Sequence, residues 1–497
     1  MGKALITDLY EIKMSYVYFK KGMKDNIAYF DVFYRRIPDN GGYVLYAGLE
    51  SIIDYVKNFH FEKEEIEFLR KTNEYSEDFL NYLENLKFTG TLYSMKEGSV
   101  IFPQEPVLII KAPIIEAQLL ETYLLMLFNH QSLIATKASR IVRAALGRPI
   151  TEFGARRAHN EDAAMLGTRA AYIGGCLGTS VVEAERLYGI KSYGTMAHSY
   201  VQSFDNEFDA FKEFALLYPN NTSLLIDTYD VLKSGLPNAI RVFKEVLEPM
   251  GIKKGSVRID SGDLSYLSNE TRKMLDKAGL NYVKIMLTNS LDEYSIQEII
   301  ANGADVDLMG VGERLITSSS SPVLDGVYKL SAIEENGKLV DVMKISASPQ
   351  KTTNPGFKKV YRIYDKETRK AEADLICRSH EVFDNSKPLT LFDPNYTYKT
   401  KTFESFEIKE LLIKIIEDGK LIYEKPTIDE IKEFAKSELD SMWPEVKRFT
   451  LPHEYYVDLS DELYNYKEQK IKEELNESIW KKRYPLKRDT NRKTRKS

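Results

Sequence analysis

The chain carries few side chains able to take part in a covalent step, with six histidines and two cysteines among 497 residues. His198 stands out by its company: it lies in "SYGTMAHSYVQSF", between Thr195 and Ser199, among small and hydroxyl side chains in a segment that reads as another strand end. No second histidine sits at metal-ligand spacing from it, so its chemistry would be that of a nucleophile or a proton carrier. A histidine beside an apolar run is also a common hydrogen-bonded structural residue, and spacing alone leaves both readings open. A carboxylate set against the ring would fix its tautomer and raise its basicity. Asp227 and Asp230 of "LLIDTYD" end the next apolar run and could supply one.

Two other stretches have the composition of an anion site. In "VRIDSGDL", Arg258 and Asp260 are two apart on a strand and face the same way, while Ser261 and Gly262 can turn the backbone so that N–H groups meet an anion. Ordinary turn chemistry is the competing reading. In "MGVGERLITSSSS", Gly310 and Gly312 follow another strand with hydroxyls behind them, and the two stretches together suggest a phosphate cradle. The P-loop pattern is absent from the sequence. In "EFGARRAHNED", Arg156 and Arg157 stand at the start of a helix, where planar guanidinium groups suit carboxylate or phosphate. Salt bridges to Glu161 and Asp162 are the alternative.

These residues need a frame that gathers them. Residues 1 to about 115 mix the helical "LYEIKMSYVYFKKG" with the alternating "IAYFDVFYRRI" and Gly- and Pro-broken short strands, which reads as an α+β domain. From 116 to 350, "PITEFG", "SLLID", "SVRID", "VKIMLTN" and "VDLMGVG" alternate with helical segments, the rhythm of parallel βα units. The fold class expected is therefore α/β, with a βα barrel as the simplest closure. Polar residues collect where each strand runs out, the edge that carries chemistry in barrels. Beyond 350, "KKVYRIYD" and "ADLICRSH" read as strands and lead into Tyr-, Lys- and Glu-rich text read as helical, closing on a basic stretch from about 481. A solvated tail is favoured there over a nucleic-acid arm.

Totals narrow the function classes. The 69 basic and 74 acidic residues leave a formal charge of −5, too balanced for a whole-chain nucleic-acid or membrane binder. Cys176 and Cys377 cannot form a disulfide framework, and the opening residues lack a signal-peptide core. A cytoplasmic protein is expected.

The motifs "TDLYEIKMS", "AYFDVFYRRIP", "TEFGARRAHNEDAAMLGTRAAYIGG", "GTMAHSYVQSF", "IDTYD", "VRIDSGDL", "LTNSLDE" and "GVGERLITSSSSPVLDGVYKL", in this order, closely resemble those of nicotinate phosphoribosyltransferases. The resemblance implies a type II phosphoribosyltransferase: an irregular βα barrel with an α+β domain formed from N-terminal and C-terminal segments. It implies a homodimer with active sites at the subunit interface. The reaction implied joins nicotinate to phosphoribosyl pyrophosphate, coupled to ATP hydrolysis through a phosphohistidine. By the same resemblance His198 is the phosphorylated nucleophile, Asp227 orients it, and Asp260 lies near the ribose and Mg²⁺. Tyr10 covers the pyridine ring, often from the partner subunit. Arg258, Thr195 and Arg156 contact substrate, with Ser180 and Ser199 counted beside them, and Ser261, Gly262, Gly310 and Gly312 hold the 5-phosphate. Glu313 departs from the pattern, standing where many relatives have Thr, and is expected to turn away or pair with Arg314. The nicotinamide enzyme of the same fold uses an acid near the ring. The loop "GGCLGTS" here offers Thr179, Ser180 and N–H donors instead, which suits a carboxylate ligand. A non-catalytic nucleotide-binding barrel is the alternative from another class, and it would not need a phosphorylatable histidine.

Overall fold

The structure is a computed structural model that describes residues 3–475 apart from positions 336, 347, 349 and 350. The basic stretch from about 481 lies outside the described residues.

Short apolar runs form six parallel strands: β1 (Ile150–Glu152), β2 (Gly178–Thr179), β3 (Ser223–Leu225), β4 (Ser256–Ile259), β5 (Lys284–Leu287) and β6 (Leu308–Val311). They are too short and too apolar for amphipathic helices. Leu224, Leu225, Val257, Ile259, Ile285, Leu287, Met309 and Val311 are all buried, as expected of strands sandwiched between helices. Helices such as Glu161–Ile173, Glu207–Leu217, Leu264–Lys277 and Glu293–Ala301 run between them. The sheet order is β2-β1-β6-β5-β4-β3, parallel at every join. The last strand, β6, pairs with the first, β1. Among the described residues no ladder joins β2 to β3. The connection between those two strands carries His198.

An antiparallel sheet of seven strands draws on three regions of the chain. Its order is Lys338–Asp341, Gly326–Glu335, Ile27–Tyr34, Leu108–Pro113, Thr91–Ser94, Ile413–Glu417 and Lys420–Leu421. A four-stranded sheet combines Phe406–Glu410, Lys358–Asp365, Ala371–Arg378 and Tyr456–Leu459. The text after 378 is therefore not all helical as expected: strands continue to Leu421, and the strand Tyr456–Leu459 lies between the helices Ile428–Ser441 and Asp461–Glu474. The reason is visible in Tyr396–Phe403, where every side chain but the last is exposed. A strand with no buried face lacks the alternation of apolar residues that would reveal it.

One buried polar knot ties the four-stranded sheet to the segment around Val100 and to the helix Ile428–Ser441. The Arg362 guanidinium, wholly buried, donates to Asp374 Oδ1 and Oδ2 at 2.8 and 2.7 Å, to Glu438 Oε2 at 2.8 Å and to the Val100 carbonyl at 2.7 Å. Tyr455 stacks on Phe102 at 3.8 Å and donates its hydroxyl to Asp374. Burial, and then the Asp374 charge, push the neighbouring Glu105 carboxyl well above its usual range. Removing one member of such a network strands the others without partners. Arg362→Ala is expected to cost about 3–5 kcal/mol, read as a lowered thermal midpoint, with a change below about 1 kcal/mol counting against the knot.

Candidate active site

The strand ends position the site through a repeated local pattern. In "LLIDTYD" and "VRIDSGD", the first acid lies within two residues of the end of the buried strand and the second lies three residues further on. The second acids are helix caps. Asp230 accepts from the N–H groups of Leu232 and Lys233, and Asp263 accepts from that of Tyr266 at 3.0 Å. Asp292 likewise caps the helix after β5. Capping satisfies otherwise unpaired N–H groups. Asp230 thus serves the backbone, and the carboxylates that stand against His198 among the described residues are the first acids, Asp227 and Asp260.

Asp227 is almost fully buried and bridges two strands. Its Oδ2 accepts from the Asp260 N–H at 3.0 Å and from the Ser261 hydroxyl at 2.6 Å, which pins the turn after β4 to the end of β3. Gly262 closes that turn at φ +83°, where a side chain would be strained. Among the described residues, Asp227 Oδ1 accepts no hydrogen bond. It faces His198 Nε2 at 3.9 Å, and Asp260 Oδ2 lies at the same distance from that nitrogen. His198 Nδ1 lies 3.1 Å from the Thr228 hydroxyl. The imidazole is partly open to solvent, its side chain 41% exposed. His198 does not end a strand as expected. It opens the short helix His198–Gln202, and strand-like pairing upstream is limited to a bridge between Thr179 and Ser192.

Arg258 and Asp260 share one face of β4, as their spacing requires. Arg258 Nη2 donates to Asp260 Oδ1 at 3.0 Å, Nε to the Thr288 hydroxyl at 3.0 Å and Nη1 to the Thr195 hydroxyl at 3.2 Å. Thr288 in turn donates to Asp260 Oδ1. Thr288 and Thr228 were not singled out from sequence. The signal was available, since each directly follows a buried strand or its terminal acid.

The other expected residues fall in several places. Gly310 lies within β6, and a Cβ there would stand 2.6 Å from the Phe153 ring and 2.8 Å from the Thr288 methyl. Close packing thus requires this glycine. Gly312 caps the short helix Glu313–Ile316, and Gly154 packs so closely that a Cβ on it would lie 2.7 Å from the Gly312 carbonyl. Arg156 and Arg157 occupy one helical turn, Ala155–Arg157. Arg157 Nε faces Glu313 at 3.6 Å across the surface, so Glu313 pairs with Arg157 and not with Arg314, which pairs with Asp292. Arg157's ion-pair partner is thus Glu313, in place of the Glu161 or Asp162 considered from sequence. Ser180 and Ser199 are exposed. Thr179 does not offer its hydroxyl outward: it donates at 2.8 Å to Glu152, a buried carboxylate that also receives Thr168 and the Gly154 N–H. Burial raises the Glu152 carboxyl and these donors oppose the rise. Tyr10 sits on the helix Leu9–Lys20, beside Glu121, Glu11 and Asp8, and is 45% exposed. Its surroundings include none of the strand-end residues.

Among the described residues no group of three or more His, Cys, Asp or Glu side chains could hold a metal by itself. The Asp260 carboxylate is an oxygen donor of the kind that Mg²⁺ takes together with waters and substrate oxygens. No helix among the described residues is long and apolar enough to cross a membrane.

Comparison with known proteins agrees along the chain. Residues 5–129 match the nicotinate phosphoribosyltransferase N-terminal domain, 149–387 the nicotinate phosphoribosyltransferase family, and 357–467 the corresponding C-terminal domain. A nicotinate phosphoribosyltransferase of Bacillus subtilis is 45% identical over 471 residues, covering 95% of each chain. The crystal structure of human nicotinic acid phosphoribosyltransferase superposes with a TM-score of 0.83 at 28% identity, covering 93% of this chain and 99% of that one. A nicotinate-nucleotide pyrophosphorylase from Pyrococcus furiosus shares the fold, with a TM-score of 0.68 at 24% identity over 88% and 95% of the chains.

Gly310→Ala is expected to push Phe153 and Thr288 aside, costing about 1–3 kcal/mol and loosening the Thr288–Asp260–Arg258 bonds. Thermal unfolding measures the cost. An unchanged midpoint would mean that the strand accommodates the methyl.

Proposed function

The chain belongs to the nicotinate phosphoribosyltransferase family, and we propose that the edge of its parallel sheet is where nicotinate and phosphoribosyl pyrophosphate become nicotinate mononucleotide and pyrophosphate, a step in NAD biosynthesis. The observation that carries this reading is the convergence of His198, Asp227, Arg258 and Asp260 from three separate segments onto one strand edge.

Arg258 is suited to the carboxylate of nicotinate. A guanidinium has five N–H bonds, and three of those of Arg258 are used on Thr288, Thr195 and Asp260. Two remain for a ligand. Glu152, a carboxylate bonded to Thr179 of the "GTS" loop, is turned inward and held by donors, which favours the acid over the amide. Thr195, Ser180, Ser199 and Arg156 line the approach in this reading, and Tyr10 of a second copy of the chain covers the ring, so the site is completed in a homodimer.

Loss of pyrophosphate leaves positive charge on the ribose C1′, and the nicotinate nitrogen attacks it there. The Asp260 carboxylate stabilises the cationic sugar by charge. Ser261, Gly262 and the Gly310–Gly312 segment receive the 5-phosphate, with backbone N–H groups as donors. Mg²⁺, where bound at Asp260, supplies neutralisation of the pyrophosphate charge. Nicotinate brings its own nucleophile, so the protein's task is positioning.

ATP serves a separate step, phosphorylation of His198. The added charge reorganises the site between a tight substrate state and a product-releasing state. The six strands are read as an irregular barrel, a reading supported by the pairing of the last strand with the first, beside an α+β unit built from both ends of the chain. A cytoplasmic setting is consistent with two buried, unpaired cysteines.

Protein mixed with nicotinate, phosphoribosyl pyrophosphate and Mg-ATP is expected to yield the mononucleotide, and failure to form it would overturn the reading. His198→Ala is expected to abolish ATP consumption during turnover, whereas ATP hydrolysis at the parent rate would remove His198 from its role. Arg258→Ala is expected to raise the KM for nicotinate by roughly tenfold or more, as loss of a charged hydrogen-bond pair predicts, with the KM for ATP little changed. Equal effects on both would count against a ring-carboxylate contact.

A further inference from the structure

The two nitrogens of His198 face unlike surroundings. Nε2 points at two carboxylate oxygens, Asp227 Oδ1 and Asp260 Oδ2, each 3.9 Å away. Nδ1 lies 3.1 Å from the Thr228 hydroxyl. Ionised carboxylates only accept hydrogen bonds, whereas a threonine hydroxyl both donates and accepts. The arrangement is therefore self-consistent when Nε2 carries the proton and the Nδ1 lone pair accepts from Thr228. The unpartnered Asp227 Oδ1 is the acceptor that awaits the Nε2 proton.

From this geometry we propose that Thr228 is a positioning residue for phosphoryl transfer, holding the His198 ring by its reactive nitrogen and then passing its hydroxyl hydrogen bond to the incoming phosphoryl group. The proposal rests on the reading of His198 as the phosphorylated residue. The Nδ1 lone pair forms a bond to the γ-phosphorus of ATP. The bond from that phosphorus to the bridging oxygen breaks, and its electron pair leaves with ADP. The proton on Nε2 stays in place, so the ring becomes cationic where Asp227 and Asp260 face it, and their charge stabilises it. Thr228, displaced from Nδ1, donates to a phosphoryl oxygen. Hydrolysis reverses the N–P bond: water attacks phosphorus, the electron pair returns to Nδ1, and phosphate and a proton are released.

A hydroxyl suits this exchange because its proton can turn from a ring nitrogen to an oxygen without a change in charge. A carboxylate at the same position would repel the phosphoryl group. The position also follows from the chain: Thr228 is next to Asp227, so one turn after β3 supplies the acceptor for Nε2 and the donor for Nδ1. Neither residue can shift without the other.

The test compares Thr228→Val, which keeps the shape and removes the hydroxyl, with Thr228→Ser, which keeps the hydroxyl. Phosphohistidine formation is followed by rapid quench with labelled ATP, and nicotinate binding by calorimetry. Thr228→Val is expected to slow phosphorylation by roughly tenfold or more, as loss of one hydrogen bond to a charged group predicts, while the nicotinate Kd stays within about twofold. Thr228→Ser is expected to stay close to the parent, and ¹⁵N spectra of the parent ring are expected to show the proton on Nε2. Phosphorylation at the parent rate in Thr228→Val overturns the proposal, as does an equal loss in Thr228→Ser, which would mean that shape and not the hydroxyl matters. His198→Ala separates the two levels: phosphate incorporated at the same yield in that variant removes the underlying reading and the Thr228 role with it. Incorporation lost in His198→Ala but unaffected in Thr228→Val removes the Thr228 role alone.

Discussion

A buried carboxylate must have its lone pairs met, and at Asp227 that demand organises the strand edge. One oxygen is met by the Asp260 N–H and the Ser261 hydroxyl, so the turn after β4 is built onto the end of β3. Among the described residues the other accepts no hydrogen bond, and it is directed at His198. The same residue thus spends half its capacity on structure and leaves half for chemistry. If its partners on β4 were lost, Asp260 and Ser261 would be free to move, and with them the Arg258 ion pair.

Charge is arranged in the same economical way. Arg258, Asp260 and Thr288 form a closed triangle of bonds at the end of β4 and β5, so the arginine's orientation is set before any ligand arrives. Such preorganisation lowers the cost of binding an anion, because the guanidinium has little rotational freedom left to lose. Glu152 is handled in the opposite way. It is an acid close to the site, and the fold encloses it among Thr168, Thr179 and the Gly154 N–H, where its charge is turned away from the edge.

Much of this was legible in the sequence. The period of two put Arg258 and Asp260 on one face, and the strand-helix rhythm located the edge that collects Asp227, Asp260 and the glycine turns. The parallel sheet followed from short apolar runs that cannot be amphipathic helices. What escaped has physical causes. The two acids of each D-x-x-D pattern look alike in sequence, and only the direction of the following helix makes Asp230 and Asp263 caps. His198 was read as ending a strand because small and β-branched residues surround it, but the chain there runs between β2 and β3, which no ladder joins among the described residues. Gly310 was read for a phosphate cradle, and the fold adds a packing requirement that spacing cannot show, the Phe153 ring set against its Cα. Glu313 found Arg157 across the fold, a pairing that spacing cannot show. The exposed strand Tyr396–Phe403 gave no apolar alternation to read.

The account depends on His198 being a phosphoryl acceptor braced by Asp227. Incubating the protein with Mg-ATP and mapping any acid-labile phosphate by mass spectrometry addresses this most directly. One phosphoryl group on His198, sharply reduced when Asp227 is replaced by Ala, is the result predicted. Phosphate on another residue, or none under turnover conditions, would contradict it.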